Sequence, residues 1–460
     1  MADRPTILWF RRDLRLADHP ALLEAAERGP VLGLFVLDER LWGPAGPNRR
    51  WFLAGCLDAL HDAVDGTLVV RHGDPIDVVA AVAAEADAAS VLVSADFGPY
   101  GHDRDLAVEA RLAAEGVGFE RIGSPYAVDP GRVLTGGGTP YKVFSPFYRA
   151  WTEHGWDPPA GPPVAVDWVR GVRSDPRPTA PAVDAALPAP GEGPAHDRLD
   201  AFIDERVTDY RDARNQPGIE GTSRLSPYLK WGCVHPRQIL ARLGDSRGEE
   251  VFRSEVAWRE FYADVLHHRP DSARAAFVPT LASIEVDEGP DADARFAAWA
   301  EGRTGYPIVD AGMRQLLAEG WMHNRVRMIV ASFLVKDLHL DWTRGARHFM
   351  RHLVDGDLAS NQHGWQWVAG TGTDAAPYFR VFNPVAQGRK FDPDGTYVRR
   401  WVPELAGLDD RRVHEPWTAG DTLLDDGPNG YPPPIVDHAE ERREALARYE
   451  AARAAPASSR

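Results

Sequence analysis

The stretch 320–384 constrains this chain more than any other. It opens with GWMHNRVRMIVASFLVKDLHLDW and, after a short helical run, continues HLVDGDLASNQHGWQWVAGTGTDAAPYFRVFNP. Residues 321–340 carry helical apolar spacing, with Met322, Val326, Ile329, Val330, Phe333 and Leu334 as one inward stripe. Asn324, Arg327 and Met328 recur at i, i+3 and i+4, so one face holds an amide, a cation and a thioether. Asp355 and Asp357 flank a glycine at the end of the next helical run, and Asn361, Trp365 and Trp367 follow. Residues two apart on a helix point to different sides, so the two tryptophans address different neighbours. Any one of these residues is ordinary core. Together they are costly, because buried charges and amides need partners. The combination implies a bound polar aromatic ligand.

The N-terminal part is organised differently. Apolar runs at 6–10, 31–37, 67–70, 91–93 and 118–122 alternate with helical patterns at 20–28, 49–64, 75–86 and 104–115. That alternation predicts a parallel sheet covered on both faces, a doubly wound α/β domain. No glycine fingerprint follows the first strand; Arg11, Arg12, Asp13, Leu14 and Arg15 stand there, so a dinucleotide is not expected in this domain. Residues 157–194, rich in Pro, Ala and Gly, read as a long surface connection, either an ordered wrap or a flexible linker. From 196 onward helical patterns dominate. The expected organisation is an α/β domain over 1–130, a linker over 131–195 and an all-α domain over 196–460, closing on a polar helical stretch that ends AAPASSR.

Composition narrows the class. The two cysteines, Cys56 and Cys233, provide neither a disulfide framework nor a CxxC metal site, which points to a reducing cytoplasm. Residues 1–30 lack the apolar core of a signal peptide, and no apolar run approaches the ~18 residues of a membrane span. A net charge of −16 argues against diffuse nucleic-acid binding. It leaves room for a local basic groove, for which Arg325, Arg327, Lys336, Arg344, Arg347 and Arg351 are candidates. There is no GxSxG, no HExxH and no metal-ligand spacing, so the chemistry is expected of a cofactor.

Two further groups stand out. Thr222, Ser223, Arg224, Leu225 and Ser226 put hydroxyls, backbone N–H groups and a cation at an expected helix start, which suits either an anion or a simple cap. Glu255, Trp258 and Arg259 share a helix face at i, i+3 and i+4.

The motifs WMHNRVRM, DGDLASN, GWQW and TGTDAAPYFRVFNP closely resemble the FAD-binding helical domain of the photolyase/cryptochrome family, in the branch of class I cyclobutane pyrimidine dimer photolyases. The resemblance runs along nearly the whole chain and is weakest at 157–198. It implies light-dependent repair of UV-damaged DNA by an electron from excited FADH⁻ to a flipped-out dimer, in a monomer with no membrane partner. Tyr210, Thr222, Ser223, Arg224, Leu225 and Ser226 then hold the FAD pyrophosphate and its flanks. Asp355 and Asp357 form the other half of the grip, Arg327 pairs with Asp355 beside the isoalloxazine, and Asn361 faces its N5. Glu255, Trp258, Asn324, Met328 and Trp367 line the dimer cavity with Arg259 on the same face, and Arg214, Arg325 and Gln387 contact DNA. Trp365 and Trp342 match the inner members of the family's electron-transfer chain. The third member has no counterpart, since residues 283–294 contain no aromatic. Gln362 and His363 replace a smaller pair. Phe35, Arg49, Asp96 and Lys230 match contacts of an 8-hydroxy-5-deazaflavin antenna, with 5,10-methenyltetrahydrofolate or an empty site as alternatives. A cryptochrome-type photoreceptor and a (6-4) photolyase are the competing functions. The residues named for the cavity favour dimer repair, and a (6-4) photolyase should carry a second histidine where Asn324 stands.

Overall fold

Five N-terminal runs become strands, the three central ones because they are apolar enough to be covered on both faces. They are β1 (Thr6–Phe10), β2 (Val31–Leu37), β3 (Val69–His72), β4 (Ser90–Val93) and β5 (Gly118–Arg121), and β1, β2 and β4 are buried at every residue. All pairings are parallel, in the order β3-β2-β1-β4-β5, with Thr6 opposite Val31 on one side and Ser90 on the other. The crossover helices Pro20–Arg28, Pro47–Ala63, Pro75–Glu85 and Pro99–Ala113 each start on a proline, whose missing N–H costs nothing in the first turn.

Two of the boundary shifts have clear local reasons. The strand expected at 67–70 starts at Val69, because Thr67 folds back and its N–H and hydroxyl both bond the carbonyl of Val64, at 3.1 and 2.6 Å. The helix expected from 104 starts at Pro99, because the Asp96 carboxylate takes the N–H of Gly98 at 3.0 Å and opens the turn earlier.

The structure, a computed structural model, describes residues 4–163, 165–374, 380–418 and 428–454. Part of the TGTDAAPYFRVFNP motif, 375–379, and the tail 455–460 lie outside the described residues. The chain divides into two units: Met1–Val183 with Leu187–Val207 and Ser223–Pro270, and Asp184–Ala186 with Thr208–Thr222 and Asp271–Arg460. Residues 167–175 of the proline-rich segment form an ordered wrap on the first unit. Val31 and Asp167 bond at 2.8 Å, Val169 N–H reaches Val31 at 2.9 Å, and Asp175 N–H reaches Val70 at 2.8 Å.

The second unit contains no strand among its described residues. Its core is built by helices Pro307–Glu319, Asn324–Lys336, Trp342–His352 and Leu358–Ala369. The central helix is shorter than the expected 321–340. His323 Nδ1 takes the N–H of Arg325 at 3.2 Å and starts the helix at Asn324, while His339, with φ 53°, lies beyond its end. All six residues of the predicted stripe are buried. Asp355 and Asp357 do not end a helix, as expected from sequence. Helix Trp342–His352 stops earlier, and Asp357 caps the next helix by accepting from Ser360 N–H at 3.1 Å.

Gly345 lets helix Trp342–His352 approach Trp365. A Cβ there would sit well inside contact distance of the indole ring and of Leu334 Cδ2. Gly345→Ala should therefore lower stability by about 1–3 kcal/mol from overpacking, against the ~1 kcal/mol that helix propensity alone would return. Urea denaturation reads the difference, and a stabilised variant would show that the indole can move aside.

Candidate functional site

In the second unit the polar residues of the central stretch meet as a partly completed set. Arg327 Nη2 donates to Asp355 Oδ2 at 2.8 Å, and its Nε bonds the carbonyl of Met322 at 2.8 Å. The Asp355 carboxyl is 3% exposed, and its Oδ1 is buried with no hydrogen-bond partner. Buried acceptors are normally satisfied, so this oxygen marks a place where a ligand donor fits. Trp365, also 3% exposed, has a buried Nε1 with no partner. Its ring meets Phe349 edge-on at 5.0 Å and Trp299 at 6.1 Å. Trp342 is partly buried on the same core.

Asn361 is buried, and its Nδ2 donates to Ala346 O at 3.2 Å and Gln362 Oε1 at 2.9 Å. A flavin fits these residues: it brings N–H and hydroxyl donors for a carboxylate, and a flat ring for an apolar wall.

The Gln362–His363 departure has a structural explanation. Gln362 Nε2 donates to Ala273 O at 2.6 Å, and Gln366 Nε2 to Ser272 O at 2.7 Å. His363 Nδ1 must donate to Ala359 O, at 2.8 Å, because a carbonyl only accepts; its Nε2 then takes the hydroxyl proton of Ser272 at 2.9 Å. Helix Leu358–Ala369 thus holds residues 272–273 through three side chains. Burial pushes His363 down to about 4.

Other predicted residues of this unit are dispersed by role. Asn324 is exposed, Met328, Trp367 and Gln387 are half-buried, and Trp367 Nε1 donates to Asp374 O at 3.1 Å. Arg325 donates twice to Asn215 Oδ1, at 2.7 and 3.2 Å, and lies 4.5 Å over the Phe391 ring. Arg214 lies 5.7 Å over the ring of buried Tyr210. The six cations expected to form a groove are mostly committed elsewhere. Lys336 is buried, pushed down to about 7 by desolvation, and donates to Arg380 O. Arg344 pairs with Asp293 at 2.8 Å, whereas Arg347 and Arg351 are exposed.

In the first unit, Glu255, Trp258 and Arg259 lie on helix Arg247–His268. Trp258 stacks on Phe144 with centroids 3.8 Å apart and planes 10° apart, so one indole face is covered. Glu255 is half-buried one turn earlier. Arg259 is bound inward, to the carbonyls of Pro125 at 2.9 Å and Leu229 at 3.2 Å, over the Tyr126 ring. The cap reading of the Thr222–Ser226 group fails. Helix Ser226–Trp231 has Leu225 at its N-cap with no side-chain bond, and Arg224 sits at φ 50°. Ser223 instead gives its carbonyl to Arg198 Nε at 2.9 Å. Thr222 closes the 208–222 segment of the other unit.

Among the antenna candidates, Phe35 is buried in the second half of β2. Asp96 accepts from Arg104 at 3.3 Å, and neighbouring cations hold it below the usual carboxylate range against the opposing effect of burial. Burial pushes the Arg49 guanidinium down, and Lys230 lies 5.3 Å over the Trp231 ring.

Sequence reading missed Trp299 and Ala346. Trp299 was legible as an apolar residue three after Phe296, but nothing in sequence brings it to Trp365. A backbone carbonyl such as Ala346 O leaves no residue-type signal. Among the described residues no helix is long and apolar enough to cross a membrane, and no group of three or more His, Cys, Asp or Glu could hold a metal.

Because His363 is neutral in the fold, the unfolded chain takes up the extra proton as pH falls below 6.5, and stability is lost progressively from there to about 4. His363→Gln removes that titration. Its stability should fall less steeply across this window, by up to ~1.4 kcal/mol per pH unit. Parallel slopes in urea titrations would show that His363 charges freely.

The family model for the FAD binding domain of DNA photolyase matches residues 252–451, and that for DNA photolyase matches 6–164. The deoxyribodipyrimidine photo-lyase of Agrobacterium fabrum is 41% identical, covering 97% of this chain and 98% of its own length. The crystal structure of a class III photolyase from Agrobacterium tumefaciens superposes with TM-score 0.92 at 38% identity, covering 99% of each chain. An archaeal photolyase from Sulfolobus tokodaii, solved with two FAD molecules, gives TM-score 0.86 at 29% identity, covering 97% of this chain and all of that one. With an α/β sheet domain, a helical FAD-binding domain and homology along its whole length, this chain belongs to the DNA photolyase family.

Proposed function

We propose that this protein repairs cyclobutane pyrimidine dimers in UV-damaged DNA, as a cytoplasmic monomer. When bound, reduced FAD would supply the light-excited electron that splits the dimer, and would take it back afterwards. The observation that carries the reading is the stranded Asp355 Oδ1 beside Arg327, a buried acceptor that a flavin N–H or hydroxyl would satisfy.

The chain's own residues bind, orient and exclude water. Arg327, Asp355, Asp357 and Asn361 would hold the ring end of FAD, and Tyr210 with Thr222, Ser223, Arg224, Leu225 and Ser226 its pyrophosphate and flanks. Arg327 offsets the Asp355 charge, so the net field beside the ring is small. Trp365 and Trp342 would relay electrons inward, and Trp299, edge-on to Trp365, extends that aromatic path. Phe35, Arg49, Asp96 and Lys230 would take an antenna of deazaflavin or folate type.

Substrate capture is base flipping. Extruding two stacked nucleotides costs a few kcal/mol, less when they are already fused and distorted. A stacking aromatic returns about 1–3 kcal/mol per base. Trp258, backed on one face by Phe144, would offer its other face to a base. Glu255 would accept hydrogen bonds from the dimer bases. Arg214, Arg325 and Gln387 would contact the strand.

Illumination of the FAD-loaded protein with a dimer-containing oligonucleotide should restore pyrimidine absorbance. A loaded protein that binds the oligonucleotide but never restores absorbance defeats the repair reading. Trp258→Ala should weaken binding of the dimer oligonucleotide about five- to a hundredfold while leaving the amount of bound FAD unchanged. Equal affinities would remove Trp258 from the cavity.

A further inference from the structure

The Asn361–Gln362 pair does something that packing alone does not require. A carboxamide is nearly symmetric in shape, and only its partners decide which end carries the oxygen. Asn361 Nδ2 lies 3.2 Å from the carbonyl of Ala346. A backbone carbonyl only accepts, so the atom facing it must be nitrogen. The second Nδ2 proton goes to Gln362 Oε1 at 2.9 Å. Gln362 is oriented in turn, because its Nε2 donates to the carbonyl of Ala273 at 2.6 Å. Turning either amide over would set oxygen against oxygen and break two hydrogen bonds. The relay therefore has a fixed acceptor at each end and one assignment of donors between them.

The far anchor is itself held. Ser272, the neighbour of Ala273, gives its hydroxyl proton to His363 and accepts Gln366 Nε2 on its carbonyl, and Phe277 N–H bonds Gln366 Oε1 at 2.7 Å. The carbonyl that orients Gln362 thus sits on a turn pinned to the same helix, Leu358–Ala369. Both protons of the Asn361 amide are consumed inside the protein. What it has left is Oδ1, an oxygen to which no described protein group donates.

We infer that Gln362 is a positioning residue that fixes the Asn361 carboxamide, so that Asn361 presents only a hydrogen-bond acceptor to the bound flavin. The inference rests on the reading above that Asn361 faces N5. Reduced flavin carries a hydrogen on N5, which a fixed carbonyl oxygen accepts. Oxidised flavin has a bare N5 lone pair, which the same oxygen repels. The arrangement favours the reduced state, the one that light-driven electron donation requires. Were the amide free to turn, its NH₂ would face the bare nitrogen and favour the oxidised state.

The test is the midpoint potential of bound FAD, measured by spectroelectrochemistry, with the melting temperature recorded alongside. Four proteins are compared: wild type, Gln362→Met, Asn361→Ala and the double variant. Methionine keeps the length of Gln362 and removes its acceptor. The expected result is a downward shift in Gln362→Met, a shift in Asn361→Ala, and a double variant that matches Asn361→Ala alone. If methionine costs the protein its flavin, Gln362→Asn keeps an amide one methylene too short to bridge, and should shift the potential the same way. A potential unmoved by Gln362 substitution while Asn361→Ala moves it overturns the positioning role, and a lower melting temperature on its own then leaves Gln362 as an anchor of the 272–273 turn. Additive shifts in the double variant overturn it as well. If Asn361→Ala leaves the potential where it was, the placement of Asn361 at N5 is what fails.

Discussion

The helical unit depends on a carboxylate taken out of water. Asp355 is buried beside one guanidinium, with one oxygen paired to Arg327 and the other unmatched. A buried charge of this kind is tolerable only with close compensation. Much of the surrounding architecture provides it. Arg327 is aimed by the Met322 carbonyl, the helix that carries it starts on a histidine cap, and Asp357 opens the next helix. The apolar stripe behind them makes the site dry enough for those few polar contacts to matter. The unmatched oxygen is the one polar atom of this pair that the protein itself leaves without a donor among the described residues.

Regular elements were legible in the sequence wherever one face or both had to be apolar. β1, β2 and helix Pro20–Arg28 lie where their patterns put them. Boundaries moved where a short polar contact overruled the pattern, as Thr67 and Asp96 show. The chemical character of the central stretch was also legible, because Arg, Asp, Asn and Trp in an apolar segment have to be explained by a ligand. What sequence could not supply was partnership with backbone. The Asn361 orientation depends on Ala346 and Ala273, two residues without a polar side chain. Arg259, which reads as part of a binding face, is drawn inward by the carbonyls of Pro125 and Leu229. Among the cations expected to form a basic groove, Lys336 is withdrawn for the same reason: it found a carbonyl and a buried setting, which no count of cations reveals.

The two units use aromatic rings in different ways. In the helical unit Trp299, Phe349 and Trp365 meet edge-on or in staggered stacks, a packing that fills volume and puts π systems in contact. In the first unit Trp258 and Phe144 lie face to face, which stiffens an indole whose other side is not covered by that partner. The first arrangement suits conduction of charge through a core. The second suits a platform that must not yield when a ring settles on it.

The proline-rich wrap has a consequence beyond connectivity. β3 is an outer strand of the sheet, and an outer strand offers unpaired amides and carbonyls to any extended peptide that drifts near. Here Asp175 and Ser174 bond to Val70, and 167–169 bond to Val31, so the chain's own backbone occupies that border. Beyond these bonds the chain runs into Pro176 and Pro178, which carry no N–H to extend the ladder further. The wrap therefore ends the sheet on this side, and a crowded cell full of nascent chains finds no template there on which to grow an aggregate.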